Sequence, residues 1–252
     1  MRRGQHFLVD GRVAQRQIDY ACLSPGDVVL EIGPGEGALT RRMAGRVSRV
    51  IAIEIDGRLA EGLRGLPGVE VIHADALAVD FGSLSFNKVV SNLPYQISSP
   101  VTFKLLAQDF ELAVLMYQRE FARRLVAEPG SRDYSRLSVM AQYRARWEIL
   151  EIVPPSAFRP HPEVHSCVVR AVPRPPPFAV WNPEVFEDVV RILFSHRRKT
   201  IKNALRAERY VPPEVAADLP YARQRVGKLT PEQIGELSNA LAQWREEHET
   251  AG

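Results

Sequence analysis

Short β-rich runs alternate with helical patterns over the first two-thirds of the chain, and this alternation constrains the fold more than any other sequence feature. Repeated strand–helix–strand units build a mostly parallel sheet that is covered by helices. The last two runs are joined by the proline-rich stretch 154–162, which is too short for a helix and predicts an antiparallel hairpin. The seven predicted strands are 27–32, 49–55, 69–73, 88–91, 112–117, 147–153 and 164–172.

This strand pattern predicts an α/β fold, a doubly wound Rossmann-like sheet of the methyltransferase type with a terminal antiparallel hairpin. Four prolines within 173–177 exclude regular helix and predict a stiff linker. Beyond it, Asn182 and Pro183 predict a helix start, and 194–205 has the periodicity of a helix with one basic face. A last helix is predicted from Thr230 to Arg245. We therefore expect a sheet domain over 1–173 and a small helical domain over 178–252.

The composition is that of a globular protein, with 45% hydrophobic and 25% charged residues. No apolar run approaches the ~20 residues that span a bilayer, and no apolar signal core follows the N-terminus. The two cysteines, Cys22 and Cys167, have apolar neighbours and are expected to be reduced core residues. These features favour a soluble, cytoplasmic protein without membrane contact.

The charge is unevenly distributed along the chain. Residues 113–210 contain 17 Lys and Arg against 10 Asp and Glu, whereas the rest of the chain contains 16 against 20. Such asymmetry is typical of a protein with one face that meets a polyanion, although a solvated, arginine-rich surface explains the charge alone equally well.

A glycine-rich turn follows the first predicted strand directly. The turn 33–37 has glycine at positions 33, 35 and 37, and a helical pattern begins at Ala38. Gly33 and Gly35 let a ligand approach the backbone at the carboxyl edge of the sheet. Because position 38 is not glycine, the dinucleotide pattern is absent. The loop therefore suits a ligand without a pyrophosphate, such as S-adenosylmethionine.

Acidic residues end the next two strands. Glu54, followed by Ile55, can accept hydrogen bonds from both ribose hydroxyls of an adenosine ligand. Asp75, followed by Ala76, can accept from an adenine amine. Each acid alone is more often a helix cap or a loop residue, but the glycine loop and two acids at successive strand ends predict an adenosine-containing cofactor. We predict no metal site.

The tetrapeptide Asn92-Leu93-Pro94-Tyr95 follows the fourth predicted strand. The lone pair of an adenine amine is delocalised, so the nitrogen is a poor nucleophile until acceptors draw its hydrogens out of the ring plane. The Asn92 side-chain oxygen and a neighbouring carbonyl, that of Leu93, can each accept one N–H. Pro94 stiffens the turn, and Tyr95 offers a face on which an extruded base can stack. An ordinary turn is the alternative.

In these motifs the chain resembles the ribosomal-RNA adenine dimethyltransferase family. The resemblance covers nearly the whole sequence. It rests on segments 4–8, 31–40, 92–100, 117–120, 134–139, 158–166 and 197–201.

The resemblance implies dimethylation, from S-adenosylmethionine, of two adjacent adenosines in the 3′-terminal hairpin loop of small-subunit ribosomal RNA. It implies that the target adenine is held between Tyr95 and Phe158. It further implies cofactor contacts at His6, Leu8, Gly33, Glu54, Asp75 and Asn92. The chain departs from many relatives at His6, where they have Asn, and at Ser135, where they have Gly; an imidazole can still donate to the methionine carboxylate.

Basic residues are the predicted RNA contacts. They are expected to bind phosphates and so to position the substrate rather than to read its bases. A solvated helix face is the alternative. The predicted residues are Arg197, Arg198, Lys199 and Lys202, with Arg119, Arg123 and Arg124 extending the surface around the cleft. The expected partner is the small ribosomal subunit with its RNA, bound by a monomer.

Three other functions compete with this interpretation. A relative that methylates large-subunit RNA and confers macrolide resistance shares the fold and the reaction motif. A nucleic-acid-binding assembly or transcription factor with a disused methyltransferase fold predicts decay of the motifs, which are intact here. A nicotinamide-dependent oxidoreductase needs a pyrophosphate loop, and the spacing of 33–37 argues against one.

Overall fold

A computed structural model of the chain describes residues 6–249, except for the side chain of Glu249. These residues form two compact units. The first unit runs to Arg123 and also contains Arg146–Pro173; the second contains Arg124–Ala145 and the chain from Arg174 onward. The sequence prediction places 124–145 in the sheet domain, whereas here this segment belongs to the same unit as the C-terminal helices.

The first unit is built on a seven-stranded sheet. Two further strands of two residues each pair with one another outside it. In chain order the strands are β1 (Phe7–Leu8), β2 (Val28–Ile32), β3 (Arg49–Glu54), β4 (Val69–His73), β5 (Lys88–Asn92), β6 (Leu112–Gln118), β7 (Ala145–Val153), β8 (Phe158–Arg159) and β9 (Ser166–Pro173).

The strand order in the large sheet is β4-β3-β2-β5-β6-β9-β7. The pairs β3–β4, β2–β3, β2–β5 and β5–β6 are parallel, while β9 runs antiparallel to β6, with β7 beside it at the edge. The predicted doubly wound sheet with a terminal hairpin is therefore confirmed. Since the chain order reverses between β2 and β5, the crevice that binds ligands in such sheets lies at the carboxyl ends of these strands.

Helices of the first unit cover the sheet. Their bounds are α1 (Gly11–Tyr20), α2 (Thr40–Met43), α3 (Gly57–Glu61), α4 (Ser98–Leu106) and α5 (Arg119–Leu125), the last of which continues into the second unit. Asp10 caps α1 by accepting from the backbone N–H groups of Arg12 and Val13. The apolar side of α1 then packs into a core that contains Val29, Val90 and Phe158.

The second unit is helical. It contains α6 (Arg136–Arg144), α7 (Pro183–Ser195), α8 (Ile201–Ala207), α9 (Pro213–Asp218) and α10 (Pro231–Glu249). Asn182 caps α7 by accepting from the N–H groups of Glu184 and Val185, with Pro183 in the first turn, as predicted.

The predicted continuous helix over 194–205 is wrong. Helix α7 ends at Ser195, and α8 begins at Ile201. Between them the chain pairs with a distant segment, because Thr200 forms an isolated antiparallel bridge with Arg225 and Lys199 O accepts from Val226 N at 3.0 Å. Non-local main-chain pairing thus overrides the local helical periodicity.

Both cysteines are free thiols. Cys167 is buried as predicted, but Cys22 is exposed, because it lies in the turn after α1 with φ of +47°. Within residues 6–249, every helix is too short or too polar to span a bilayer.

Candidate active site

A cavity of about 350 Å³ opens at the carboxyl ends of β2, β3, β4 and β5. The ends of these four strands and the loops that follow them supply most of its wall, and β1, β8, Leu59 of α3 and Met116 of β6 also contribute. The structure brings every predicted cofactor, reaction and stacking residue to this one cavity: His6, Leu8, Gly33, Gly35, Glu54, Ile55, Asp75, Ala76, Asn92, Leu93, Pro94, Tyr95 and Phe158.

The glycine loop (33–37) and the loop 92–97 after β5, here called the reaction loop, touch at Gly33. Its φ of +67° lies in the left-handed region, and a Cβ atom here would lie 2.8 Å from Cγ of Pro94. A larger residue at position 33 would push the two loops apart. The absence of a side chain at Gly33 therefore keeps the walls of the cavity together.

Glu54 is 4% exposed, and main-chain donors hold both of its carboxylate oxygens. Gly35 N donates to Oε2 at 3.0 Å, and Asp56 N donates to Oε1 at 2.9 Å. Each oxygen retains a further lone pair for a ligand. The carboxylate is thus oriented toward the cavity before any ligand binds.

The loop after β4 presents Asp75 at the exposed side of the cavity. The Asp75 Oδ1 atom accepts from Leu77 N at 2.9 Å, and the Asp75 carbonyl accepts from Ala78 N at 2.9 Å. These bonds fix a tight turn in which Oδ1 of Asp75 is engaged and Oδ2 has no hydrogen-bond partner among residues 6–249.

Asn92 ends β5, and its Oδ1 atom is buried without a hydrogen-bond donor among the described residues. A buried acceptor without a partner costs about 1–3 kcal/mol, so such atoms are uncommon and need an explanation. In the same loop the Pro94 carbonyl accepts from Ile97 N at 3.1 Å. The reaction loop therefore holds an unsatisfied side-chain acceptor against the cavity.

Two aromatic side chains line the cavity beside Asn92. The Tyr95 hydroxyl forms a hydrogen bond of 2.6 Å with Oγ of Ser166, and burial raises the pKa of the Tyr95 hydroxyl, so the phenol stays neutral. Phe158 is only 2% exposed and belongs to the core, where it pairs with Leu8 across β1 and β8. The scaffold thus holds both aromatic side chains.

His6 lies at the cavity with its ring 6.0 Å from that of Tyr95, between centroids. The His6 Nδ1 atom lies 2.8 Å from the Pro160 carbonyl oxygen and must donate to it. In the neutral ring Nε2 is then an acceptor, so donation to a ligand carboxylate requires the imidazolium. Residues Gly4 and Gln5, which belong to the same predicted motif, lie outside the described residues.

Glu31 also lines the cavity, although sequence reasoning did not select it. It lies on β2, is 2% exposed, and accepts from Oγ1 of Thr40 at 2.7 Å. Burial raises the pKa of Glu31 to about 8, despite the Thr40 hydrogen bond, and the Glu54 charge adds to the increase. The signal in the sequence was an acidic residue inside an otherwise apolar strand, immediately before the glycine loop.

The predicted RNA contacts fall in both units. Arg119 and Arg123 are exposed on α5, while Arg198 and Lys199 are exposed in the turn between α7 and α8. Lys202 is half-buried on α8. This basic segment is a turn rather than the predicted basic helix.

Arg197 has a different environment from the neighbouring basic residues. Its guanidinium donates to the carbonyl oxygens of Arg132, at 2.8 Å, and of Ser131. At least part of its role is therefore structural, within the second unit.

The strand order, the terminal hairpin and the cavity at the carboxyl edge define a Rossmann-like methyltransferase fold. A model of the family described as ribosomal RNA adenine dimethylase matches residues 1–243. The chain belongs to this family, as predicted, and is an enzyme of the adenine dimethyltransferase class.

Curated relatives and solved structures agree with this assignment. A probable ribosomal RNA small subunit methyltransferase A from Methanococcus maripaludis (strain C7) is 46% identical and covers 94% of this chain and 96% of its own. The protein of the same description from Methanosarcina barkeri is 47% identical over 94% of this chain and 86% of its own.

Among solved structures, a dimethyladenosine transferase from Plasmodium falciparum superposes with a TM-score of 0.80 at 27% identity, covering 96% of this chain and 98% of its own. The 23S rRNA methyltransferase ErmE superposes with a TM-score of 0.69 at 35% identity, covering 94% and 99%. Both similarities extend over the two units rather than over the sheet alone.

Proposed function

We propose that this enzyme dimethylates N6 of two adjacent adenosines in the 3′-terminal hairpin loop of small-subunit ribosomal RNA, using S-adenosylmethionine. The observation that carries the proposal is the buried, unpartnered Oδ1 atom of Asn92 at the cavity. An exocyclic amine has the N–H donors that this acceptor lacks.

The cavity wall fits S-adenosylmethionine. Glu54 would accept from the two ribose hydroxyls, and Asp75 would accept from the adenine amine of the cofactor. Gly33, Gly35, Ile55 and Ala76 would pack around the adenosine, with Leu8 and His6 toward the methionine. The buried Glu54 carboxylate gives this wall a negative charge, which suits a ligand whose sulfonium and ammonium groups are cationic. When bound, the cofactor supplies an electrophilic methyl group.

The chain activates the target amine through acceptors rather than through a base. Asn92 Oδ1 accepts one N–H of the amine. The carbonyl of Leu93, the next residue along the reaction loop, is the proposed second acceptor, while the Pro94 carbonyl accepts from Ile97 N. Drawing both hydrogens out of the ring plane localises the nitrogen lone pair. After methyl transfer the nitrogen is cationic and acidic, and it releases its proton to solvent.

The target base would be held between Tyr95 and Phe158. Stacking on an aromatic face contributes roughly 1–3 kcal/mol per base and tolerates the extrusion that such chemistry needs. The bond between Tyr95 and Ser166 holds the tyrosine in place, so little freedom is lost when the base arrives.

The names of the relatives and the basic side chains of this chain support the small ribosomal subunit as the RNA partner. The relatives at 45–47% identity are described as small-subunit methyltransferases, which supports the small subunit over the large one. Arg119, Arg123, Arg198, Lys199 and Lys202 would contact phosphates, with Arg197 holding its loop and adding charge. In this proposal the first unit, which contains the sheet, performs the chemistry, and the helical second unit recognises the substrate, as a cytoplasmic monomer.

The test is methyl transfer from labelled S-adenosylmethionine to unmodified small ribosomal subunits, followed by nuclease mapping of the labelled nucleotides. We expect dimethyladenosine at the two adjacent positions of the 3′-terminal hairpin. Label in large-subunit RNA would instead favour the activity named for ErmE, the second candidate that a structural similarity supports. Tight subunit binding without transfer would favour an assembly factor.

A further inference from the structure

One side chain of α4 holds the loop that follows β4. The Lys104 Nζ atom donates to the carbonyl oxygens of Leu77, at 2.9 Å, and Ala76, at 3.2 Å. It also lies 4.6 Å from the centroid of the buried Phe81 ring. Since an ammonium group has three N–H donors, two carbonyls and one aromatic face account for all of them. Lys104 itself does not line the cavity.

The peptide group between Ala76 and Leu77 is bonded at both ends. Its carbonyl accepts from Lys104, and its N–H donates to the Asp75 carboxylate at 2.9 Å. An ammonium on the carbonyl polarises the peptide and strengthens the bond that its N–H makes. The Lys104 charge is thereby transmitted, through one peptide, to the orientation of Asp75.

Lys104 also lies on the helix that begins directly after the reaction loop. Helix α4 starts at Ser98, and Thr102 in its first turns is bonded to Ser98 O and to the Tyr117 hydroxyl on β6. The helix that carries Lys104 is therefore anchored to the sheet. Through Lys104 this helix holds the exposed loop that contains Asp75 and Ala76.

We infer that Lys104 is a positioning residue that sets the affinity for the adenosine part of the cofactor by fixing the Asp75–Leu77 loop. This rests on the proposed function, in which Asp75 accepts from the cofactor's adenine. The residue touches neither the methyl donor nor the target base, so it controls cofactor binding and leaves the chemical step alone.

The experiment is calorimetric titration of the full chain with S-adenosylmethionine and with 5′-methylthioadenosine, which contains the adenosine but lacks the amino acid part. Lys104→Met keeps the unbranched stem over Phe81 and removes the donors. We expect both ligands to bind about 10-fold more weakly, by the same factor. Lys104→Arg should recover part of the affinity, and Lys228→Met, at an exposed lysine of the second unit, should change nothing.

Two readouts separate positioning from a general structural role. The KM for S-adenosylmethionine should rise in Lys104→Met while kcat at saturating cofactor is retained. In a double-mutant cycle, Lys104→Met should add little to the loss caused by Asp75→Ala. Additive losses, unchanged affinity, or a loss of kcat at saturation would overturn the role of Lys104. If the wild-type chain bound neither adenosine ligand, the proposed function would fall first.

Discussion

The cavity wall formed by Glu54 and the glycine loop differs from the reaction loop in whether its buried acceptor atoms have hydrogen-bond donors. In the first, both oxygens of Glu54 accept from main-chain N–H groups. In the second, Oδ1 of Asn92 is buried and has no donor among the described residues. An acceptor that already has donors is fixed in place before a ligand binds. A buried acceptor without a donor gains the most free energy when a ligand supplies an N–H group. Under the proposed function, this difference separates the residues that hold the cofactor from the residue that acts on the target amine.

The reaction loop tolerates its unsatisfied atom because the surrounding scaffold holds it. The loop follows β5, whose Asn92 pairs in register with Met116 of β6, and Pro94 packs against the bare backbone at Gly33. The cost at Asn92, about 1–3 kcal/mol, is small beside the packing of a buried strand. The contacts with β6 and with the glycine loop after β2 therefore hold the reaction loop in place despite its unsatisfied acceptor.

Asn92→Ala should have the largest effect. Because it removes the acceptor for the target amine, we expect kcat to fall at least about 100-fold. Cofactor affinity should stay within about twofold and thermal stability should not fall, since the buried Asn92 Oδ1 has no donor among the described residues to lose. Single-turnover transfer, calorimetry and thermal melting measure the three quantities. Asn203→Ala, at an exposed asparagine of α8, is the control, and near-wild-type turnover by Asn92→Ala would contradict the role.

Glu54→Ala should show the opposite pattern. The change removes the ribose acceptor and leaves the N–H groups of Gly35 and Asp56 without their partner. We expect S-adenosylmethionine to bind roughly 10- to 100-fold more weakly and the fold to lose about 1–3 kcal/mol. Calorimetry and urea unfolding check both. Glu70→Ala, at an exposed carboxylate of β4, controls for the loss of charge. Unchanged affinity of Glu54→Ala for S-adenosylmethionine would show that Glu54 does not bind the cofactor.

Glu31→Gln tests the raised pKa of the buried Glu31 through the stability of the fold rather than through ligand affinity. The fold raises the pKa of Glu31 from 4.5 to about 8, so the folded chain binds the proton more tightly than the unfolded chain. The stabilisation is fully present below about pH 4.5 and is lost as pH rises through about 8. Glutamine keeps an acceptor for Thr40 without a titrating proton.

We therefore expect Glu31→Gln to match the wild type near pH 4.5 and to be more stable at pH 9 by up to about 5 kcal/mol. Urea unfolding across this range measures the difference. Parallel pH profiles for the two chains would show that Glu31 does not titrate in this window.

The cavity could be predicted because its residues follow from local signals. A glycine turn after a strand and an acid at the next strand end reach the same edge in any parallel sheet, so Gly33 and Glu54 had to meet. The same holds for Asn92, which ends a strand beside β2. Glu31 could not be predicted as a cavity residue, because a residue inside a buried strand normally packs in the core. Only the three-dimensional structure shows that its side chain faces the cavity.

In the second unit the structure departs from the sequence expectations because of contacts between distant segments. Thr200 pairs with Arg225, and Gly130 N donates to Gly227 O at 2.7 Å. Neither pairing leaves a trace in the local periodicity of 194–205 or of 124–145. The helical pattern is compatible with a helix and with a turn followed by a short helix, so long-range pairing decides between them.

The smallest effect is expected from the bond that holds Tyr95. Ser166→Ala removes the partner of the Tyr95 hydroxyl, and Tyr95→Phe removes the hydroxyl itself. Both leave an aromatic face for the base, so each should lower kcat/KM for ribosomal subunits only about 2- to 5-fold, with cofactor affinity unchanged. Because both remove the same bond, the double variant should be no worse than the weaker single variant. Additive losses would mean that Ser166 and Tyr95 act separately, and the reaction loop would then depend on a contact other than this bond.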